Sequence, residues 1–244
     1  MIYRTNQGQV SYGESVGILL LESNIPFIPG DVGNASTYPF PVRFERMEGL
    51  TFDKLLTKDR ALLEPMFEAG HKLVKEGVKA ITGDCGFMMA FQKEIAEELN
   101  VPVFMSSLIQ IPLMAMMLGK DEKIGIICSN EPYLNHDLLT VAGIEQYTEK
   151  IHVKGLENEK HFRDAVILES GTLDAEAIEK ETVAAALELV QTYPEIKMLL
   201  LECSILPPYA HAVQQATRLP VFDFVTLINY VHSGLVRTRY SGFM

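Results

Sequence analysis

The chain has 244 residues, 48% of them hydrophobic and 22% charged, which suffices for one large domain or two small lobes and excludes a disordered or fibrous chain. Its 21 Lys and Arg against 32 Asp and Glu leave a net charge of −11, which repels nucleic-acid phosphates and anionic bilayers, so neither nucleic acid nor membrane is expected as a partner. Three cysteines at wide spacing argue against a disulfide framework and leave thiol chemistry open.

Residues 1–10 are polar and lack an apolar signal core, so a cytoplasmic protein is expected. Residues 16–21 read as a buried strand. The segment 22–49 holds Pro26, Pro29, Gly30, Gly33, Pro39, Pro41 and Gly49 with little periodicity. It reads either as a lid or binding loop, with Asn34 as a substrate-binding candidate, or as a surface excursion carrying an edge strand at 40–44. Arg43 within it either pairs with an acidic substrate group or is an ordinary surface arginine. Apolar spacing predicts a crossover helix over 55–75, then a strand at 79–82 that leads into Asp84 and Cys85. Residues 101–104 read as a strand, and the apolar run to Leu118, broken by Pro112 and several polar residues, reads as a buried helix rather than a membrane span. A strand at 124–128 ends in Cys128, which reads as structural, with Ser129 and Asn130 at its tip as ligand contacts. A helix over 172–191, capped by Thr172 or Asp174, precedes strands at 196–201 and 220–222. Between those two strands lie Glu202 and Cys203.

Residues 78–104 lie over 196–222 without a gap. Lys79 falls on Lys197, Asp84 on Glu202, Cys85 on Cys203, and Pro102, Val103, Phe104 on Pro220, Val221, Phe222. A weaker echo relates Val16, Gly17, Ile18 to Ile124, Gly125, Ile126. The chain therefore reads as an α/β fold of two pseudosymmetric lobes, each a mainly parallel sheet flanked by helices, with the active site in the cleft between them. The lobes are expected at 1–105 and 106–223, with a C-terminal helix in 224–244 packing back onto the first.

Each cysteine is expected where a parallel strand ends and a helix begins, so that helical amides lower its pKa. Gly86 and Phe87 after Cys85, and Ser204 and Ile205 after Cys203, are the remaining substrate-binding candidates, their backbone able to cradle a carboxylate. Strand alternation points Asp84 and Glu202 away from the thiols, towards a cap or salt bridge; bent inward, they would raise the thiol pKa. No clustered Cys and His spacing supports a metal, and no glycine-rich loop supports a nucleotide.

The runs Ile81, Thr82, Gly83, Asp84, Cys85, Gly86, Phe87 and Leu201, Glu202, Cys203, Ser204, with Pro207 and Pro208, resemble the Asp/Glu/hydantoin racemase superfamily. The resemblance implies a cofactor-independent, PLP-free amino-acid racemase or epimerase, an isomerase with Cys85 and Cys203 as its two acid/base groups. It also implies a small carboxylate substrate, no metal, and a homo-oligomer. The glutamate racemases commonly follow their cysteines with Asn-Thr and Thr-His, unlike Gly86-Phe87 and Ser204-Ile205 here. Alternatives on the same fold are a hydantoin racemase, a maleate isomerase or an arylmalonate decarboxylase-like enzyme; from another class, a non-catalytic small-molecule binding protein.

Overall fold

Strands with unbroken apolar runs belong inside a parallel sheet covered on both faces. In the computed structural model, which describes residues 2–244, β1 (Val16–Glu22) is such a strand, with Val16, Ile18 and Leu19 fully buried. It is followed by β2 (Val42–Thr51), α1 (Phe52–Leu56), α2 (Leu63–Lys75), β3 (Ala80–Gly83), α3 (Gln92–Glu98) and α4 (Ile111–Met116). Their sheet has the order β2-β1-β3, all parallel. The second half runs β4 (Lys123–Cys128), α5 (His136–Val141), β5 (Ile151–Gly155), α6 (Lys160–Phe162), α7 (Ala175–Thr192), β6 (Ile196–Leu201), α8 (Ala210–Thr217) and β7 (Val221–Phe222). Its sheet, β5-β4-β6-β7, is also parallel throughout.

The two sheets repeat one plan. Ile81 donates its N–H to Pro102 (3.0 Å) and bridges to Val103, as Leu199 donates to Pro220 (2.9 Å) and pairs with Val221. Gly17 and Gly125 hold equivalent places in the central strands. A Cβ at Gly17 would press on Leu73 of α2, and one at Gly125 on Leu189 of α7 and on Leu199, so each glycine lets its layers approach closely. α9 (Phe224–Leu235) starts from an Asp223–Thr226 capping box and packs Phe224, Leu227 and Ile228 against Val16, Ile18 and Ala80 of the first sheet.

Several elements differ from the sequence reading. The helix expected over 55–75 is broken at Lys58, whose φ is 54°, because Thr57 and Asp59 make a turn whose Asp59 carboxylate accepts from the Ala61 N–H. The strand expected over 101–104 shrinks to the single bridge at Val103, since Ser106 then caps a 3-10 turn and draws the chain off the sheet. The edge strand expected at 40–44 is the longer, charged β2. β5 was not anticipated, because an edge strand with mixed polar residues and partial burial carries little hydrophobic signal. No helix among the described residues is long and apolar enough to cross a membrane.

Candidate active site

β3 and β6 end at the carboxyl edges of the two parallel sheets; the chain passes from β3 through an extended Cys85 into a 3-10 helix, and from β6 into a bend at Cys203. These exits carry Cys85 from one lobe and Cys203 from the other into the wall of one cavity. Asp84, Ser129, Ser204 and Ile205 line it near the thiols. Leu21, Ser23, Ile25 and Phe27 come from the end of β1 and the loop beyond, Phe52 from α1, and Val166 and Glu169 from a turn of π-helix and the residues after it. No Lys, Arg or His is in this wall.

Polar groups tie the lobes together beneath the cavity. The Ser204 hydroxyl donates to the Asp84 carbonyl and the Ser107 hydroxyl to the Glu202 carbonyl at 3.0 Å, while within the first lobe the Leu21 N–H donates to both Asp84 carboxylate oxygens at 3.1 Å. Val32 N–H donates to the Ser204 carbonyl at 3.3 Å, bringing the loop after β1 over the second lobe. Glu202 is fully buried; its Oε2 accepts a long bond (3.4 Å) from the Ser129 N–H, and its Oε1 has no partner. Burial raises Glu202 to about 8 and Asp84 to about 7, and Asp31, also buried with one carboxylate oxygen unpartnered, to about 8.

The expectation of thiols with lowered pKa is corrected. Burial pushes Cys85 and Cys203 well up, and the Glu202 charge adds to the rise in both. Neither thiol is followed directly by an α-helix. Cys85 is followed by a 3-10 helix at Gly86–Phe91 and Cys203 by a tight turn, with α8 beginning only at Ala210. The Phe87 N–H supports the Cys85 thiolate, whereas Cys203 has two such donors, the Ile205 N–H and the Ser129 side chain.

The outward orientation expected of the two acids is also corrected. Asp84 does accept the Leu21 N–H but also lines the cavity, and Glu202, outside that wall, has no salt bridge and lies with Oε1 against Gly86, next to Cys85.

Of the sequence-derived site residues, Cys85, Cys203, Ser129, Ser204 and Ile205 come together in the cavity wall and four others do not. A Cβ at Gly86 would overlap the Glu202 carboxyl and lie 2.8 Å from its carbonyl oxygen, so this glycine admits Glu202 rather than a ligand. Phe87 is buried between Phe52 and Tyr133, with ring centroids at 6.2 and 6.1 Å. Asn130 stands outside the wall, as the residue before the 3-10 turn at Glu131–Tyr133. Asn34 caps a short 3-10 turn, accepting from Ser36 N–H and donating to the Phe27 carbonyl, which braces the loop from behind. Arg43 pairs with Glu14 and Glu76, both at 3.3 Å, away from the cavity. Sequence reasoning missed Ser23, Ile25, Phe27, Phe52, Val166 and Glu169. The proline-rich loop was the signal for the first three; the stretch around Glu169 gave none.

No family model matches the chain. It is 32% identical over 231 residues to a dimethylsulfoniopropionate lyase of Durusdinium sp. clade D, covering 91% of this chain and 75% of that protein. It is 31% identical over 229 residues to dimethylsulfoniopropionate lyase 5 of Emiliania huxleyi strain CCMP1516, covering 90% of this chain and 45% of the relative, so it spans less than half of that protein's length. Among solved structures, allantoin racemase from Klebsiella pneumoniae aligns with a TM-score of 0.60 at 14% identity over 92% of this chain and 91% of its own. A variant of arylmalonate decarboxylase in a sulfate-associated form aligns with a TM-score of 0.59 at 13% identity over 90% and 92%. These two share the fold, which is the α/β plan expected from the paired cysteine motifs. The expected activity is corrected: the sequence relatives are enzymes named as lyases, which overturns the amino-acid racemase reading and, with it, the alternatives of hydantoin racemase, maleate isomerase, arylmalonate decarboxylase and non-catalytic binding protein. The paired cysteines carried the fold relationship and not the reaction.

Proposed function

Because the chain belongs to the dimethylsulfoniopropionate lyase family, we propose that it is a lyase that cleaves dimethylsulfoniopropionate by β-elimination, with Cys203 as the base. The observation that carries this reading is the cavity wall itself, in which two thiols are joined by carboxyl groups and aromatic rings and by no basic side chain. Such a wall repels an ordinary dicarboxylate and suits a substrate that brings its own positive charge.

The chemistry follows from the substrate's constitution, a carboxylate separated by two carbons from a dimethylsulfonium. Cys203 thiolate takes the proton on the carbon next to the carboxylate. The C–H electron pair becomes the new C=C bond, and the C–S pair leaves with sulfur as neutral dimethyl sulfide, so acrylate remains. The Cys203 proton passes to water as the products depart. No proton need be donated to the leaving group, because a sulfonium departs without one.

Cys203 suits the role of base because Ile205 N–H and the Ser129 side chain both support its thiolate. The sulfonium supplies the positive charge that the wall lacks, and it offsets the effect of burial and of Glu202 when it is needed. Cys85, held as a thiol by burial and by more neighbouring negative charge, is a donor for the substrate carboxylate, on which negative charge grows as the proton leaves.

Purified protein incubated with dimethylsulfoniopropionate and no added cofactor should release dimethyl sulfide and acrylate in equal amounts, followed by gas chromatography and proton NMR. Cys203→Ser should lower kcat by about 10²- to 10⁴-fold, the usual contribution of a general base. Absence of elimination by the wild type, or full activity in Cys203→Ser, would overturn the proposal.

A further inference from the structure

A second cavity adjoins the thiol cavity, walled by Thr51, Phe52, Asp53, Ile167, Leu168 and Glu169. Phe52 and Glu169 belong to both walls, so a ring contributed by the first lobe and a carboxyl residue contributed by the second stand between the two cavities. Glu169 is held there at some expense. Its φ of 47° lies in the left-handed region that non-glycine residues avoid, and such conformations persist only where the surroundings enforce them. The enforcement is a latch across the cleft, in which the Asn24 N–H donates to Glu169 Oε2 at 2.8 Å and the Asn24 side-chain amide donates to the Glu169 carbonyl at 3.2 Å.

We propose that Phe52 and Glu169 form a cation-selective portal to the thiol cavity, which admits an onium head group and disfavours ligands of net negative charge. An aromatic face and a carboxylate are the two groups that hold a methylated onium without needing a hydrogen bond from it. Phe27 continues the aromatic wall inwards, Asp53 adds a carboxyl on the outer side, and neither chamber has a Lys, Arg or His to attract an anion. The identification of the cation as a sulfonium rests on the lyase reading above. Under that reading, the same groups also discriminate between substrate and product in binding. The entering substrate is a zwitterion of zero net charge, whereas one product is an anion and the other is neutral, so re-entry of the anion is opposed.

The test uses the full chain and a readout that needs no turnover, the rate at which iodoacetamide alkylates Cys85 and Cys203, followed by mass spectrometry. Two ligands of one shape are compared: 3-(trimethylammonio)propionate, and its carbon isostere 4,4-dimethylpentanoate, which has a net charge of −1. The onium compound should protect the thiols at a lower concentration than the isostere. Glu169→Gln, which keeps an acceptor for the Asn24 N–H, should raise the onium half-protection concentration by about three- to tenfold and leave the isostere's unchanged or lower. Phe52→Leu should also weaken onium protection, and Glu169→Lys should reverse the preference. Equal protection by both ligands in the wild type, an equal effect of Glu169→Gln on both, or protection by neither would overturn the portal. If the preference is found but dimethylsulfoniopropionate is not cleaved, the lyase reading falls and the portal stands; if cleavage proceeds without the preference, the portal alone falls.

Discussion

A thiol pushed up by burial is a poor base until something stabilises its charge, and in the proposed elimination that something at Cys203 is the sulfonium of the substrate. This has a kinetic signature. The profile of kcat/KM against pH reports the free enzyme, where burial and Glu202 keep Cys203 protonated, whereas kcat reports the complex, where the sulfonium is present. Both should rise with pH, since the thiolate is the active form, and the kcat limb should lie at lower pH than the kcat/KM limb. Coincident limbs would remove the electrostatic part of the argument. The two cysteines themselves were legible because the repeat set them in register, each behind an acid and ahead of a turn. Their ionisation was not legible, because it depends on how deeply each is buried and on the inward tilt of Glu202, and strand alternation along a single chain predicts the opposite tilt. Ser129 was readable from its place at the tip of β4. Glu169 was not, because a strained residue after a π-helical turn has no periodic signature.

At the scale of elements, the lobes meet where the 3-10 helix after Cys85 lies against the end of β6, and Gly86 is a point of close approach. Its side would be occupied by the Glu202 carboxyl and carbonyl if any Cβ were added, and neither can retreat readily, since the carboxyl is fully buried and the carbonyl accepts from Ser107. Gly86→Ala should therefore destabilise the protein by about 1–3 kcal/mol, the usual cost of overpacking, in a urea titration that leaves the m-value unchanged. A neutral result would mean that Glu202 has space that the packing denies it. The central strands were legible because unbroken Val, Ile and Leu runs have one structural solution. The charged edges were harder, as β2 and β5 are recognisable mainly through their pairing with β1 and β4. Residues 101–104 show the converse: their sequence matches that of β7, yet the Ser106 cap leaves only one bridge, so a true repeat of sequence gave a shorter repeat of structure.

For the molecule as a whole, the buried acids under the cleft set how stability responds to pH. Asp31 and Glu202 are raised to about 8 and Asp84 to about 7, while in the unfolded chain each titrates in the ordinary carboxylate range. Between that range and about pH 8 the native state holds protons that the unfolded state has released. Stability therefore falls as pH rises through this window, being fullest below the unfolded values and lost above the folded ones. The net charge of −11 acts in the same direction, so the slope alone does not identify its source. Glu202→Gln separates the two. It retains the shape and changes the net charge by one, but it removes a group that binds a proton differently in the two states. Urea titrations at pH 5, 6.5 and 8 should show the wild type losing stability across the series and Glu202→Gln losing measurably less. The difference between their slopes should be confined to the interval in which Glu202 titrates. Parallel slopes would mean that Glu202 is ionised in the folded protein throughout, and the charge felt by both thiols would then be fixed rather than developing as the pH rises.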